Sequence, residues 1–293
     1  MRHTQTIRWL RGLLTIGSLV WYAGIAGAGT VSEIAAVPYL TEKGREEYAK
    51  FLAAGPARAF AVAENGAWGF SEKRDTRSRA VAIALYRCNK AAHDICRVYA
   101  VNEDVVYSRY AAFEERSRTL LGQLTTETFR FAEYGSEERD YRSSPVDGLL
   151  REPYHEDTPT ELKGVVTIKT VALVKLLTTP TPPILIDALE GDGHKTIPGA
   201  LWIRGAGIYG RNGTDNGEIQ DRLGFVLAAL TKGNSAASIV FFCLDSRCRL
   251  SYNAVWRARE LGFTNLYWYR GGVEAWGAAL LDSLDAVQYG QVW

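Results

Sequence analysis

The sequence predicts two folded parts: a small α+β module followed by an α/β domain with a parallel sheet covered by helices on both faces. The length of 293 residues exceeds that of one typical domain. Four cysteines form two close pairs, one in each half. The second half alternates short, continuously apolar runs with helical segments, which is typical of buried parallel strands and their crossover helices.

The composition excludes two broad classes of protein. Hydrophobic residues make up 47% of the chain and charged residues 23%, so wholesale disorder is excluded. The 34 basic and 33 acidic residues give a net charge of +1. A protein that binds nucleic acid by neutralising phosphates needs a basic excess, so this class is excluded as well.

Residues 1–28 have the three parts of a secretory signal peptide. Three arginines come first, an apolar run follows over 13–25, and Ala26-Gly27-Ala28 offers a cleavage site. The alternative is an uncleaved membrane anchor, but the run is shorter than the roughly 20 apolar residues that span a bilayer. We expect a cleaved, periplasmic protein with no membrane contact, whose net charge changes from +1 to −2 on cleavage.

Residues 29–112 are predicted to form the small α+β module. Hydrophobic spacing and the turn signal Asn65-Gly66 predict its elements. They are helices over 41–54 and 75–92, a hairpin over 58–70, and one or two strands over 96–107.

Cys88 and Cys96 fall at a helix end and a strand start, where a disulfide would close a loop of about nine residues. Loop-closure entropy makes such a bond worth roughly 2.6 kcal/mol. A metal site is the alternative, but His93 is the only further ligand nearby.

Residues 113–160 are predicted to be a charged connecting helix and linker, and 161–293 the α/β domain. The linker's charges are expected to form a solvated face. Apolar runs in the α/β domain predict strands over 164–169, 184–189, 238–242 and 266–269. Helices are expected over 170–177 with Thr170 as N-cap, near 220–230, over 249–260 and from 271.

Cys243 directly follows the predicted strand 238–242, and a helix begins near Arg249. In open α/β sheets this edge carries the functional sites. Inward-facing amides and the helix dipole favour an anion there, and therefore a thiolate over a thiol. Cys243 and Cys248 are accordingly the candidate catalytic residues.

The residues between and beside these cysteines are the candidate substrate contacts. The backbone amides from Leu244 to Cys248, which include those of Asp245 and Ser246, would line the anion pocket, and Arg247 and Arg249 would add positive charge. The Asp245 carboxylate opposes anion binding if it points into the loop.

The α/β domain resembles the rhodanese-like (sulfurtransferase) domain. The resemblance is carried by ILIDAL, IPGALWI, IVFFC and ARELGFTNLYWYRGGVEAW, and spans Gly164 to Leu281. It implies that Cys243 takes sulfane sulfur from a donor such as thiosulfate, holds it as a persulfide and passes it to a thiol or other thiophilic acceptor. A small sulfur-containing anion is then the substrate, and no cofactor or metal is expected.

A narrower resemblance concerns CRLSYNA and YWYRGG followed by tryptophan. These segments are similar to exported proteins with a C-x-x-x-C-W motif that are associated with pyrroloquinoline-quinone-dependent alcohol catabolism. The resemblance implies service to such an oxidation pathway. Two departures stand out: four residues separate Cys243 from Cys248, and Arg249 replaces the tryptophan of the motif.

Other interpretations of the same residues remain open. Cys248 could resolve a sulfenic acid or persulfide on Cys243, which would make the domain a dithiol/disulfide partner of a periplasmic redox protein. A permanently oxidised pair would leave a non-catalytic binding domain. Cys243 and Arg249 also match the C-x5-R spacing of cysteine phosphatases, although the loop has no glycine and contains Asp245.

Overall fold

The computed structural model describes residues 30–92, 96–127, 129–210 and 215–291. The predicted signal peptide, residues 1–28, and His93 lie outside the described residues. A short 3-10 helix covers Ile34–Ala36. The α-helices are α1 Glu42–Ala53, α2 Arg77–Ala92, α3 Tyr107–Leu121, α4 Thr170–Leu177, α5 Asn216–Leu230, α6 Arg249–Glu260 and α7 Gly272–Ala278.

The strands form three sheets. They are β1 Ala59–Ala63, β2 Trp68–Ser71, β3 Cys96–Val101, β4 Asp104–Val105, β5 Val166–Ile168, β6 Ile184–Asp187, β7 Lys195–Thr196, β8 Leu201–Arg204, β9 Ile239–Phe242, β10 Leu266–Tyr269, β11 Leu284–Asp285 and β12 Gln288–Gln291. Strands β7 and β11 form a separate antiparallel pair.

The first part is an antiparallel sheet in the order β2-β1-β3-β4 with a helix on each face. The predicted hairpin is confirmed, since β1 pairs with β2 across the turn that contains Gly66, whose φ is +86°. Phe60 and Val62 pack with the aromatic residues of α1, whereas the intervening alanines of β1 face α2. Because successive side chains of a strand point to opposite faces, β1 contributes to a hydrophobic core on each face of the sheet.

Helix α2 lies very close to the sheet because small residues face it. A Cβ added at Gly69 would lie 2.4 Å from both the Ala84 carbonyl oxygen and the Cys88 nitrogen. The Cys88–Cys96 disulfide, with 6.0 Å between the Cα atoms, then ties the end of this helix to β3. Glycine at position 69 is therefore a packing requirement.

The second part is a six-stranded sheet in the order β12-β8-β6-β9-β10-β5, and all of its strand pairs are parallel. Side chains of α5 and α6 fill one face, where Leu223 and Val255 meet Phe241. Helices α4 and α7 cover the other face, where Leu173 and Trp276 meet Phe242. The predicted fold class is confirmed.

Strand β12 joins the two parts. It pairs with β8 of the parallel sheet and also contacts α2. The Tyr110 hydroxyl of α3 donates to the Gln288 carbonyl oxygen, and the Tyr86 and Phe225 rings meet edge to face with centroids 4.8 Å apart.

Within the described residues, no helix has the length and apolar character needed to cross a bilayer.

The close approach of α2 leads to a stability prediction. Gly69→Ala should lower the free energy of unfolding by about 1–3 kcal/mol, because the added methyl group meets helix backbone that cannot move independently. Gly55→Ala is the matched control, since a Cβ there has no atom within 4 Å. Urea unfolding measures both variants, and equal stability of the two would contradict the proposed packing.

Candidate functional site

The candidate site is the loop Cys243–Cys248, which connects the carboxyl end of β9 to the start of α6. Its two cysteines form a disulfide with an S–S distance of 2.06 Å and 6.3 Å between the Cα atoms. Both cysteines are buried. The Cys243 sulfur also lies 3.2 Å from the Ser251 hydroxyl oxygen. The structure therefore shows the oxidised state of this pair.

The loop rests directly on the start of α7. A Cβ added at Gly272, whose φ is +59°, would lie 2.3 Å from the Cys243 carbonyl oxygen. The Val273 amide donates to this oxygen at 3.0 Å, and the Glu274 amide donates to the Leu244 carbonyl oxygen at 2.8 Å. The second glycine of the Tyr-Arg-Gly-Gly segment thus lets the loop and α7 meet backbone to backbone.

Asp245 points back into the loop. One carboxylate oxygen accepts the Arg247 amide at 2.9 Å, and the other lies 2.8 Å from Nε2 of His155. The Cys248 amide donates to the Asp245 carbonyl oxygen at 3.1 Å. The amides of Arg247 and Cys248, which were expected to line an anion pocket, are thus engaged by Asp245 in this state.

The remaining loop residues face different surroundings. The Leu244 side chain is 41% exposed, whereas Ser246 is fully buried. The Ser246 hydroxyl lies 2.9 Å from the Tyr141 hydroxyl and donates to Ser136 at 2.8 Å. Ser246 therefore anchors the loop to the segment that precedes the parallel sheet.

That segment, which we call the strap, comprises residues 134–158 and forms no helix or strand. It pairs with the cysteine loop through an antiparallel bridge between His155 and Cys248. The Glu156 amide donates to the Arg247 carbonyl oxygen at 2.9 Å, and the Arg249 amide donates to the Tyr154 carbonyl oxygen at 2.8 Å. The strap therefore covers the backbone of the loop where α6 begins.

Both arginines predicted as anion contacts point at the strap. The Arg249 guanidinium donates to the carbonyl oxygens of Arg151, Pro153 and Asp157, at 3.3 Å each. Arg247 forms ion pairs with Glu156 and Asp157 at 3.6 and 3.3 Å. In this state the strap supplies the oxygen atoms that a bound anion would otherwise supply.

Arg270 follows β10, is 1% exposed and was not among the site residues predicted from the sequence. Its guanidinium donates to the hydroxyl and carbonyl oxygens of Thr158 at 3.0 and 3.2 Å and lies 5.4 Å from the Tyr141 ring centre. Burial lowers the pKa of Arg270. The sequence feature that could have identified Arg270 as a site residue is its position at the end of a predicted strand, just before two glycines.

The predicted N-cap of α4 needs correction. Thr170 is the first helical residue, and its amide and hydroxyl both donate to the buried Glu137 carboxylate at 2.7 Å. The cap is supplied by the strap, because a carboxylate satisfies the free amides at a helix start as well as a local hydroxyl does.

Asp187 and His194 form a second polar pair, at the end of β6. The Asp187 carboxylate lies 3.0 Å from Nε2 of His194 and accepts the Thr196 hydroxyl at 2.6 Å. Burial lowers the pKa of His194, but the hydrogen bond and charge of Asp187 outweigh this effect, so the pKa is raised overall.

The described residues contain no group of three or more His, Cys, Asp or Glu that could hold a metal ion.

The strap contacts predict that Arg249 controls access to the disulfide. Arg249→Ala should speed reduction of Cys243–Cys248 by dithiothreitol about tenfold, because losing hydrogen bonds to a charged donor favours local opening. Arg142→Ala, at an exposed arginine of the strap, is the control. Thiol trapping and mass spectrometry measure the rate; unchanged kinetics in Arg249→Ala would show that the strap does not shield the bond.

Comparison with known families agrees with this architecture. Residues 171–279 match the family model of the rhodanese-like domain, a range that includes the whole cysteine loop. No curated protein matches the chain. The C-terminal part of the chain is thus a rhodanese-like domain, and it carries a disulfide in its loop.

Proposed function

We propose that the rhodanese-like domain acts as a dithiol/disulfide partner in which Cys243 and Cys248 are the reacting residues. The observation that carries this proposal is the disulfide between the two cysteines of the site loop. A second sulfur within bonding distance of Cys243 gives it an intramolecular resolving group, which a simple persulfide carrier does not need.

In the proposed exchange, the Cys243–Cys248 dithiol reduces a disulfide of the partner protein. The Cys243 thiolate attacks a disulfide of the partner, forms a mixed disulfide and releases one partner thiolate. The Cys248 thiolate then attacks the Cys243 sulfur, which closes the Cys243–Cys248 bond and releases the second partner thiolate. Two electrons pass to the partner, and a dithiol protein returns them by the reverse sequence.

Local electrostatics support a reactive thiolate. Cys248 is the N-cap residue of α6, so the positive end of the helix dipole lies at the disulfide. The buried Arg270 adds a full positive charge at the same edge of the sheet. Both effects favour a thiolate over a thiol and therefore favour thiol–disulfide exchange at neutral pH.

Sulfur transfer is the second candidate, favoured by the family match and by Cys243 at the end of β9. In this reaction the Cys243 thiolate takes the outer sulfur of thiosulfate, forming a persulfide and releasing sulfite. A thiol or cyanide then accepts that sulfur. The closed disulfide has no free thiolate, so this reaction requires prior reduction.

We further propose a periplasmic location, after removal of residues 1–28. The two disulfides suit an oxidising compartment. A role beside a pyrroloquinoline-quinone-dependent alcohol oxidation pathway is proposed from the sequence resemblance alone, and a periplasmic redox protein is then the natural partner.

Two assays on the mature protein separate these functions. We expect it to accelerate reduction of insulin disulfides by dithiothreitol. Cys243→Ser should abolish this activity, and Cys248→Ser should trap mixed disulfides because the resolving thiol is missing. The Cys88→Ser, Cys96→Ser double variant is the control and should retain the activity.

Thiosulfate:cyanide transfer is measured in parallel on the reduced protein. Transfer that is lost in Cys243→Ser but kept in Cys248→Ser, without insulin reduction, would replace the redox proposal with sulfurtransferase activity. Inactivity in both assays would favour a binding domain, and insulin reduction retained by Cys243→Ser would rule out Cys243 as the attacking sulfur.

A further inference from the structure

Ser251, on the first turn of α6, places its hydroxyl beside the disulfide. Its oxygen lies 3.2 Å from the Cys243 sulfur and 3.3 Å from the Cys248 carbonyl oxygen. The indole N–H of Trp268 donates to the same oxygen at 2.9 Å. Ser251 is 1% exposed and Trp268 is fully buried, so water does not compete for these contacts.

The hydroxyl has one hydrogen to donate, and two acceptors lie within reach. Trp268, which has only a donor, occupies a lone pair of the Ser251 oxygen and leaves the hydroxyl hydrogen free to point elsewhere. A disulfide sulfur is a weak acceptor, so in the oxidised state the hydrogen goes to the Cys248 carbonyl oxygen. A thiolate is a strong acceptor, and rotation about the Cβ–Oγ bond redirects the hydrogen without moving any heavy atom.

Three backbone amides at this end of the loop are already engaged. The amides of Arg247 and Cys248 donate to Asp245, and the amide of Arg249 donates to the strap. A thiolate formed at buried Cys243 needs a donor, because burying an unpaired charge is costly. Among the contacts of the described residues, Ser251 is the hydroxyl group at hydrogen-bond distance from this sulfur.

We propose that Ser251 is a catalytic hydrogen-bond donor that stabilises the Cys243 thiolate once the disulfide has been reduced, with Trp268 holding the hydroxyl in place. The inference rests on the proposed dithiol chemistry. A partner dithiol supplies two electrons and one proton, and becomes a disulfide while its second proton passes to water. The Cys243–Cys248 bond breaks and leaves a Cys248 thiol and a Cys243 thiolate, and the thiolate accepts a hydrogen bond from the Ser251 hydroxyl.

Ser251→Ala tests this role through two properties of the protein. In a Cys248→Ser background, where Cys243 is the unpaired cysteine, the variant should raise the Cys243 pKa by about one unit, since a hydrogen bond to an ion is worth that much or more. With both cysteines present, the equilibrium with glutathione should shift about tenfold toward the disulfide. Thiolate absorbance at 240 nm and thiol trapping provide the two readings.

Ser117→Ala is the matched control. Ser117 is also buried, and its hydroxyl accepts the Gly199 amide at 2.8 Å without contacting a cysteine. It should leave both quantities unchanged. Unchanged values in a folded Ser251→Ala protein, or equal shifts in Ser117→Ala, would overturn the proposal.

A measurement with Ser251 intact covers the case in which the alanine variant does not fold. In Cys248→Ser alone, the Cys243 pKa should lie below the ordinary thiol value of about 8.5; a value at or above it would overturn the role of Ser251. Measuring the Cys243 pKa and the equilibrium with glutathione requires no protein substrate such as insulin. An inactive insulin assay with the expected pKa shift would therefore reject the proposed function and leave the Ser251 contact standing.

Discussion

The Cys243–Cys248 disulfide joins the end of a buried strand to the first turn of α6, and the surrounding contacts depend on this junction. Gly272 lets the loop lie on α7, Asp245 folds back onto the loop amides, and the strap pairs with its outer edge. Because these groups meet at one short loop, we expect a change in the bond between the two sulfurs to affect all of them. The loop itself is attached to β9, a buried central strand of the parallel sheet.

The strap gives the site a particular electrostatic character. Arg249 binds its carbonyl oxygens, Arg247 pairs with its carboxylates, and Arg270 is buried against Thr158 and the Tyr141 ring. Three cations at the edge of the sheet are thus satisfied from within the chain. In the proposed dithiol mechanism, the same cations would also favour a thiolate over a thiol when the disulfide opens.

Local signals were sufficient to predict much of this fold. The apolar run of β9, the helical spacing after Arg249 and the Asn65-Gly66 turn each depend on neighbouring residues, and each predicted element is present. The position of Cys243 at a strand end follows from the same pattern. The sequence resemblance led to the rhodanese-like domain, and the family match supports it.

The strap and its contacts could not be predicted in the same way. Its residues have no regular hydrophobic period, so its charges suggested a solvated linker. The Glu137 cap on Thr170 joins residues 33 positions apart, and Ser136 reaches Ser246 from 110 positions away. Ser251 looked like an ordinary polar residue of a helix. Only the folded chain brings these groups to the cysteine loop.

The most direct test of the account is a redox titration of the native protein in glutathione buffers, with thiol trapping followed by peptide mass spectrometry. We predict that Cys243 and Cys248 become labelled together in a reversible two-electron step while Cys88 and Cys96 stay bonded and the fold persists. If Cys243–Cys248 opened only when the protein unfolds, or after Cys88–Cys96, this disulfide would be a structural bond and the account would be contradicted.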